Sequence, residues 1–266
     1  MRADLRRRLR FAVRTLAVYT VAIVLFEYLL VLVFDTLDVE RLQPIFESLP
    51  RALQAMLGAD AERLLSAQGF LGIIFTHPVM LVLFVAFPIA FAAGALAGEV
   101  ERRTIALVLV RPITRVRIVA SAALILILAG AVLFAAAWGG MALWTRLRGL
   151  GPIDLAPYGW AAAAGAALCW SIGGITLLAS AASSESGRAA GIGTGFALAS
   201  YVANYLANLQ PDWEWLARYS IFAYWDPQGV IRRGTVIASD VGVILAIAMI
   251  SMFLAVIVFD RRDIAV

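Results

Sequence analysis

The residues able to do chemistry are few, and most sit at the edges of long apolar runs. Their densest grouping is Gly98-Glu99-Val100-Glu101-Arg102-Arg103-Thr104, followed by Arg111-Pro112-Ile113-Thr114-Arg115-Val116-Arg117. Carboxylates and guanidinium groups at this spacing make ion pairs and docking contacts, and the apolar stripe of Ile105, Val108 and Leu109 between them suits a surface that meets another protein. An ordinary charged hairpin turn explains the arginines but not the stripe. A solitary carboxylate, Glu27, falls inside an apolar run. All 22 basic residues are arginine, and the chain has one histidine, His77, and one cysteine, Cys169. Without lysine there is no G-x-x-x-x-G-K-[ST] phosphate loop and no Schiff-base nucleophile. One histidine and one cysteine cannot build a His/Cys zinc site or an internal disulfide.

These residues must be positioned by membrane helices. Hydrophobic residues make up 62% of the 266-residue chain and charged residues 15%, against roughly 45–50% and about 25% in a soluble domain. A spanning helix needs about 20 apolar residues. Six segments meet that length: Thr15–Phe34, Val79–Ala97, Ile118–Trp144, Tyr158–Ser180, Ala189–Leu209 and Val241–Phe259. With both termini inside, fourteen arginines lie on the inner side and eight on the outer, so the positive-inside rule predicts an N-in, C-in topology. Trp144, Tyr158 and Trp160, and then Trp213, Trp215 and Trp225, read as interfacial anchors on the outer side. The first apolar run is too long for a cleavable signal and carries no A-x-A-like site. The expected fold class is all-α integral membrane with six transmembrane helices.

Four of the segments outside these spans are informative. Residues 1–14 read as an interfacial amphipathic helix, with Leu5, Leu9, Ala12 and Leu16 on one face and Arg2, Arg6 and Arg10 on another; a disordered basic leader is the alternative. The outer loop over 35–78 carries two predicted short helices around Leu42–Leu49 and Leu53–Leu57, a collar or a lid. Residues 99–117 form the inner segment, where Arg111-Pro112 should stop a helix and Thr114 should cap the next. Residues 211–240 form the last outer loop. Gly191-Ile192-Gly193-Thr194-Gly195 lacks the preceding strand of a nucleotide fingerprint. The four-residue spacing of Gly191 and Gly195, and the small face at Gly165, predict close packing of the fourth and fifth spans. His77-Pro78 reads as a hydrogen-bonded boundary, Cys169 as packing, and Ser183–Arg188 as a solvated inner turn.

The string Gly98-Glu99 … Glu101-Arg102-Arg103-Thr104 … Leu109 … Arg111-Pro112-Ile113-Thr114-Arg115 resembles the cytoplasmic signature of ATP-binding-cassette (ABC) type-2 permeases, in the branch grouped with multicopper-enzyme-maturation permeases. The long first outer loop ending in Ser66-Ala67-Gln68-Gly69-Phe70, the Tyr219-Ser220 … Tyr224-Trp225-Asp226-Pro227 stretch and the closing Phe259-Asp260-Arg261-Arg262-Asp263-Ile264 agree with it. Arg103 departs from the pattern, standing where the family usually has glycine, which suggests a more continuous helix there. The resemblance implies a type-2 exporter transmembrane domain, a permease subunit without enzymatic activity of its own. It would pair with a second permease copy or paralogue and dock on a separate ABC ATPase subunit that holds the ATP and Mg. It implies that Glu99, Glu101, Arg102, Thr104, Pro112 and Arg115 transmit ATPase coupling. No cofactor is expected on this chain and no nucleic-acid partner; the lipid bilayer is its medium, and an all-arginine, alanine-rich composition suggests a prokaryotic cell membrane.

Glu27 invites a sharper role. A carboxylate near mid-bilayer costs a few kcal/mol and should face protein or a water-filled cavity. It could serve the translocation path or a proton, or bond to a neighbouring helix or partner copy. Intramembrane hydrolysis is a poor rival. Glutamate-rich prenyl-protease sites need histidines on other spans, and Trp170-Ser171-Ile172-Gly173 lacks the flanking glycine of a G-x-S-x-G turn. A non-ATP-driven polytopic protein, a secondary transporter or scaffold, is the stronger alternative. No position reads a substrate, and the lack of Met, His or Cys clusters argues against direct copper handling.

Overall fold

The computed structural model describes residues 2–36, 48, 66–103, 114–150 and 152–263. Among them the chain is all-α: α1 (Arg2–Thr36), α2 (Ala67–Thr76), α3 (Pro78–Ala95), α4 (Ala97–Glu101), α5 (Arg115–Arg148), α6 (Ala156–Ala182), α7 (Ser186–Leu209), a 3₁₀ helix (Pro211–Tyr219), α8 (Pro227–Arg233) and α9 (Ala238–Arg261). Five stretches are long and apolar enough to cross a membrane: Ala12–Thr36, Ala67–Ala95, Arg115–Arg148, Ala156–Ala182 and Ala238–Arg261. The molecule is a multi-pass helical membrane protein with five such helices among the described residues, which corrects the expected six-span, N-in/C-in exporter topology. The segment that falls out is the fifth. It does form a helix, α7, about 36 Å long at 1.5 Å per residue. Four glycines, Thr194, Ser200, Asn204 and Asn208 dilute its apolar content below that of the other five.

Other expectations change as well. Residues 2–14 are continuous with the first span, since α1 runs unbroken from Arg2 to Thr36. The stretch Ala67–Thr76, expected in the outer loop, continues into α3 as one apolar run. Ser66 starts it by accepting the Gly69 N–H at 3.1 Å. His77 divides α2 from α3, its Nδ1 accepting the Val79 N–H at 3.2 Å beside Pro78 at the first helical turn, as the boundary reading expects. The two predicted helices around Leu42–Leu57 lie outside the described residues.

The bundle is organised around α6, most of whose residues are buried. Its face is made of alanine, glycine and serine, and these let large neighbours approach. A Cβ on Gly165 would collide with the Phe134 ring, and one on Gly173 would lie 2.6 Å from Leu126. Phe134 stacks on Phe84 at 4.2 Å, so rings from α3 and α5 fill the space those glycines leave. Indole N–H groups fasten the helices: Trp144 to the Val24 carbonyl at 3.0 Å, Trp170 to Ile127 at 3.0 Å and Trp225 to Ala161 at 3.1 Å. Trp225 is therefore a core residue, only 4% exposed, and not the interfacial anchor expected of it; Trp213 and Trp215 are exposed. The predicted contact of Gly191 and Gly195 is also displaced, since both face open space and Gly193 instead abuts Thr176 of α6.

Candidate functional site

Two groupings contain the residues singled out in the sequence. The first lies at the bundle end where α3, α6 and α9 finish and α5 and α7 begin. α3 does not continue straight into α4. The Ser180 hydroxyl of α6 enters the backbone at that point, donating to the Ala93 carbonyl and accepting the Ala97 N–H, both at 2.9 Å. Those two groups would bond each other in a continuous α-helix, and an inserted side chain of this kind is a recognised cause of a kink. The break turns α4 across the end of the bundle. Glu99 on α4 is 5% exposed and lies 3.6 Å from Arg102, its i+3 neighbour.

Glu101, two residues on, reaches the first turn of α7. Its Oε2 accepts the Ser186 hydroxyl at 2.6 Å and the Ser186 N–H at 2.9 Å. Glu185, at the N-cap position of α7, makes no side-chain cap of its own, so a carboxylate from another helix satisfies that end and meets the positive pole of its dipole. The two bonds from Ser186 hold the Glu101 carboxyl below the ordinary carboxylate range, with a smaller contribution from nearby Arg102. The turn over Ser183–Arg188 is thus tied to α4 and is not simply solvated.

Chain reversal after Glu101 also differs from expectation. Arg103 adopts a left-handed backbone, φ 55°, so the break that glycine permits elsewhere occurs here with arginine, and the helix does not continue. Thr104 and Pro112 lie outside the described residues. Thr114 caps α5 by accepting the Arg117 N–H at 3.4 Å, as its position in the sequence predicts. Arg115 reaches the end of α9, donating to the carbonyls of Asp260 at 3.2 Å and Arg262 at 2.5 Å. Arg262, marked in the sequence only as part of the closing stretch and given no role, donates to the carbonyls of Ala181 and Ser183, at 3.1 and 2.7 Å, and to the Ser184 hydroxyl at 2.5 Å. Helix ends leave unpaired carbonyls that cationic side chains satisfy, and two arginines close α6 and α9 in that way. Glu99, Glu101, Arg102 and Arg115 therefore share one end of the bundle, where Glu101 bonds the first turn of α7 and Arg115 is linked to the α6–α7 turn through Arg262. Only the basic residue following an apolar run signalled Arg262.

Glu27 forms the second grouping, apart from the first. α1 and α5 run parallel, since Val24 meets Trp144 and Asp35 pairs with Arg148 at 3.2 Å further along. Glu27 faces Gly140, where a Cβ would collide with its Oε2. Gly140 lies 25 residues beyond Arg115 on α5, about 37 Å along the helix. The glutamate is fully buried, and neither carboxyl oxygen has a hydrogen-bond partner among the described residues. A bond to a neighbouring helix, one of the roles expected for it, is absent among those residues. The Thr20 hydroxyl, also on α1, is buried and unpartnered too. Among the described residues no group of three His, Cys, Asp or Glu side chains is placed to hold a metal.

No curated protein matches the chain. A family described as "Protein of unknown function (DUF2705)" matches residues 53–265, a stretch that takes in α2 to α9 and the grouping at the α6–α7 turn but leaves out α1 and Glu27. That description assigns no activity. With well over half of its length matched, the chain belongs to the DUF2705 family.

Proposed function

We propose that this chain is a membrane-embedded transport subunit of a prokaryotic cell membrane, working without nucleotide chemistry of its own. The observation that carries the reading is Glu27, a fully buried carboxyl in the first apolar span with no partner for either oxygen among the described residues. A buried polar group left unsatisfied is costly, and an ionisable residue inside a membrane helix is by default a functional one. In an ion-driven carrier such a carboxyl takes up and releases a proton as the surrounding helices rearrange, so the energy comes from a gradient.

The test uses the purified chain alone, reconstituted in liposomes that enclose a pH-sensitive dye. After external acidification, internal acidification should exceed that of empty liposomes and should fall to the empty-liposome rate in Glu27→Gln. Equal rates in wild type, variant and empty liposomes would remove the ion-driven reading.

A second reading, an ABC permease subunit driven by a separate ATPase, is supported by a different observation. Glu99, Glu101, Arg102 and Arg115 converge on one end of the bundle around the α6–α7 turn. In this reading that end receives the ATPase, whose ATP and Mg stay on the partner, and the permease works as a pair. Tagged chain purified from native membranes should then bring an ATP-hydrolysing subunit with it. Reversing both charges, with Glu99→Arg and Arg102→Glu, should abolish stimulated transport while the protein stays inserted. Absence of any ATPase in the purified complex would leave the ion-driven reading standing.

A further inference from the structure

A cleft opens between α3 and α7, with Tyr19 of α1 at its side and Phe222 near one end. Its larger section encloses about 510 Å³ and is walled by Leu81, Val82, Val85 and Ile89 of α3 and by Ala190 and Leu198 of α7. Past Leu81, Tyr201 and Phe222, which line both sections, it continues into about 200 Å³ more. There the wall changes character to Thr76, Asn204, Tyr205, Asn208 and Trp225. Tyr201, Asn204, Tyr205 and Asn208 stand at i, i+3, i+4 and i+7, a single stripe of α7. Two of them, Asn204 and Asn208, are among the polar residues that dilute the apolar content of this helix, so part of its polarity faces the cleft.

We infer that this cleft binds an amphipathic molecule with an uncharged, hydrogen-bonding head and an apolar tail. The tail lies along α3 and the head sits among Tyr201, Asn204 and Tyr205. The volume falls in the ordinary range for ligand pockets, which are apolar with a few placed polar groups. The Asn204 amide and the hydroxyls of Tyr201 and Tyr205 make no hydrogen bond with described residues, while the Asn208 amide donates to the Asn204 carbonyl at 2.8 Å. These groups are free for a ligand. Among the described residues no arginine, histidine or carboxylate lines either section, which disfavours a phosphate or ammonium head and favours hydroxyls or amides. Aromatic rings beside amides suit a sugar-like face. The site does not depend on how the chain is energised, and its test reads binding alone.

The purified full chain, in phosphatidylcholine nanodiscs, is exposed to an alkyl glucoside carrying a diazirine near the end of its chain, irradiated, digested and mapped by mass spectrometry. Adducts should concentrate on α3 between Val82 and Ile89 and on α7 between Ala190 and Leu198. Unlabelled alkyl glucoside should compete, and an alkyl phosphate of equal chain length should not. Removing head contacts with Asn204→Leu and Tyr205→Phe together should weaken competition at least about fivefold, as expected for the loss of one or two hydrogen bonds. Leu198→Trp, which fills the apolar section and leaves the head contacts intact, should lower labelling independently. Phe253→Ala, on an exposed face of α9, should change nothing. Labelling spread evenly over α9 and the cleft, equal competition by the phosphate, or full competition in the double variant would each overturn the assignment. So would protection of the cleft by cross-linkable contact with a second copy.

Discussion

Glu101 stabilises a helix to which it does not belong, and it does so only as a carboxylate. Its bonds from the Ser186 hydroxyl and N–H depress its pKa below the usual carboxylate value. A group with a depressed folded pKa contributes its stabilisation above the unfolded value and loses it as pH falls through the folded one. The tie between α4 and α7 should therefore persist through neutral and mildly acidic pH and release only in stronger acid. Hydrogen exchange in the first turn of α7, corrected for intrinsic rates, should show protection lost at low pH. In Ser186→Ala, where the hydroxyl bond is gone, the midpoint should move upward. An unchanged midpoint would mean that the backbone N–H alone sets it. Glu27 works under the opposite condition, enclosed between α1 and α5 with the absence of a side chain at Gly140 making room for its carboxyl. Gly140→Ala should displace that carboxyl, lowering any Glu27-dependent proton entry into liposomes while the folded protein survives, since a flexible side-chain end can move aside.

At the scale of elements, the two breaks around α4 have different origins. The break at Leu96 is imposed by Ser180, which occupies the backbone link between Ala93 and Ala97 from 83 residues away. Ser180→Ala removes the bridge and leaves two buried backbone groups to re-form their own bond. The variant should lose about 1–2 kcal/mol, measured as a fall in the thermal midpoint, and α3 should straighten into α4 and carry Glu101 away from Ser186. The break at Arg103 is imposed by the local backbone, and a left-handed conformation costs a non-glycine residue about 1 kcal/mol or more. Arg103→Gly should therefore stabilise the chain by about 0.5–1 kcal/mol, with the reversal retained. These two cases mark what was legible in the sequence. Thr114 and His77 cap helices through neighbours two or three residues away, so local order was enough to find them. A serine in an apolar run normally bonds back to its own helix, as Ser171 and Thr176 do in part, and nothing local distinguished Ser180. The six-span expectation failed because length and general apolarity were weighed without position. Asn204 and Asn208 lower the average of α7, and their spacing with Tyr201 and Tyr205 was the available signal that one side of this helix faces something other than lipid or core.

Across the whole molecule, the helices are joined toward both ends by charge, at Asp35–Arg148 and around the α6–α7 turn, and in the middle by shape. Alanine and glycine on α6 let aromatic rings from α3 and α5 close against it, an arrangement that holds the bundle without polar side-chain pairs. At the α6–α7 turn the order reverses: Arg115 holds the end of α9 through the Arg262 carbonyl, and the Arg262 side chain holds the end of α6. Because one residue's backbone and side chain serve different partners, the two arginines form a chain in which the first fixes the base from which the second reaches. Arg262→Ala should cost about 1–3 kcal/mol, the range for a charged donor with several acceptors. Arg262→Lys should restore only part of this, since an ammonium lacks the planar fork that spans two carbonyls and a hydroxyl. Arg115→Ala should cost less alone. If the bundle end is one unit, the double variant should depart from the sum of the single losses by about 0.5 kcal/mol or more, as residues sharing a network do, read from midpoints in the same lipid. Additive losses would mean two independent helix caps. The α4 segment would then pass a partner's movement into the bundle through the Glu101 contact with α7 and the Ser180 bridge from α6.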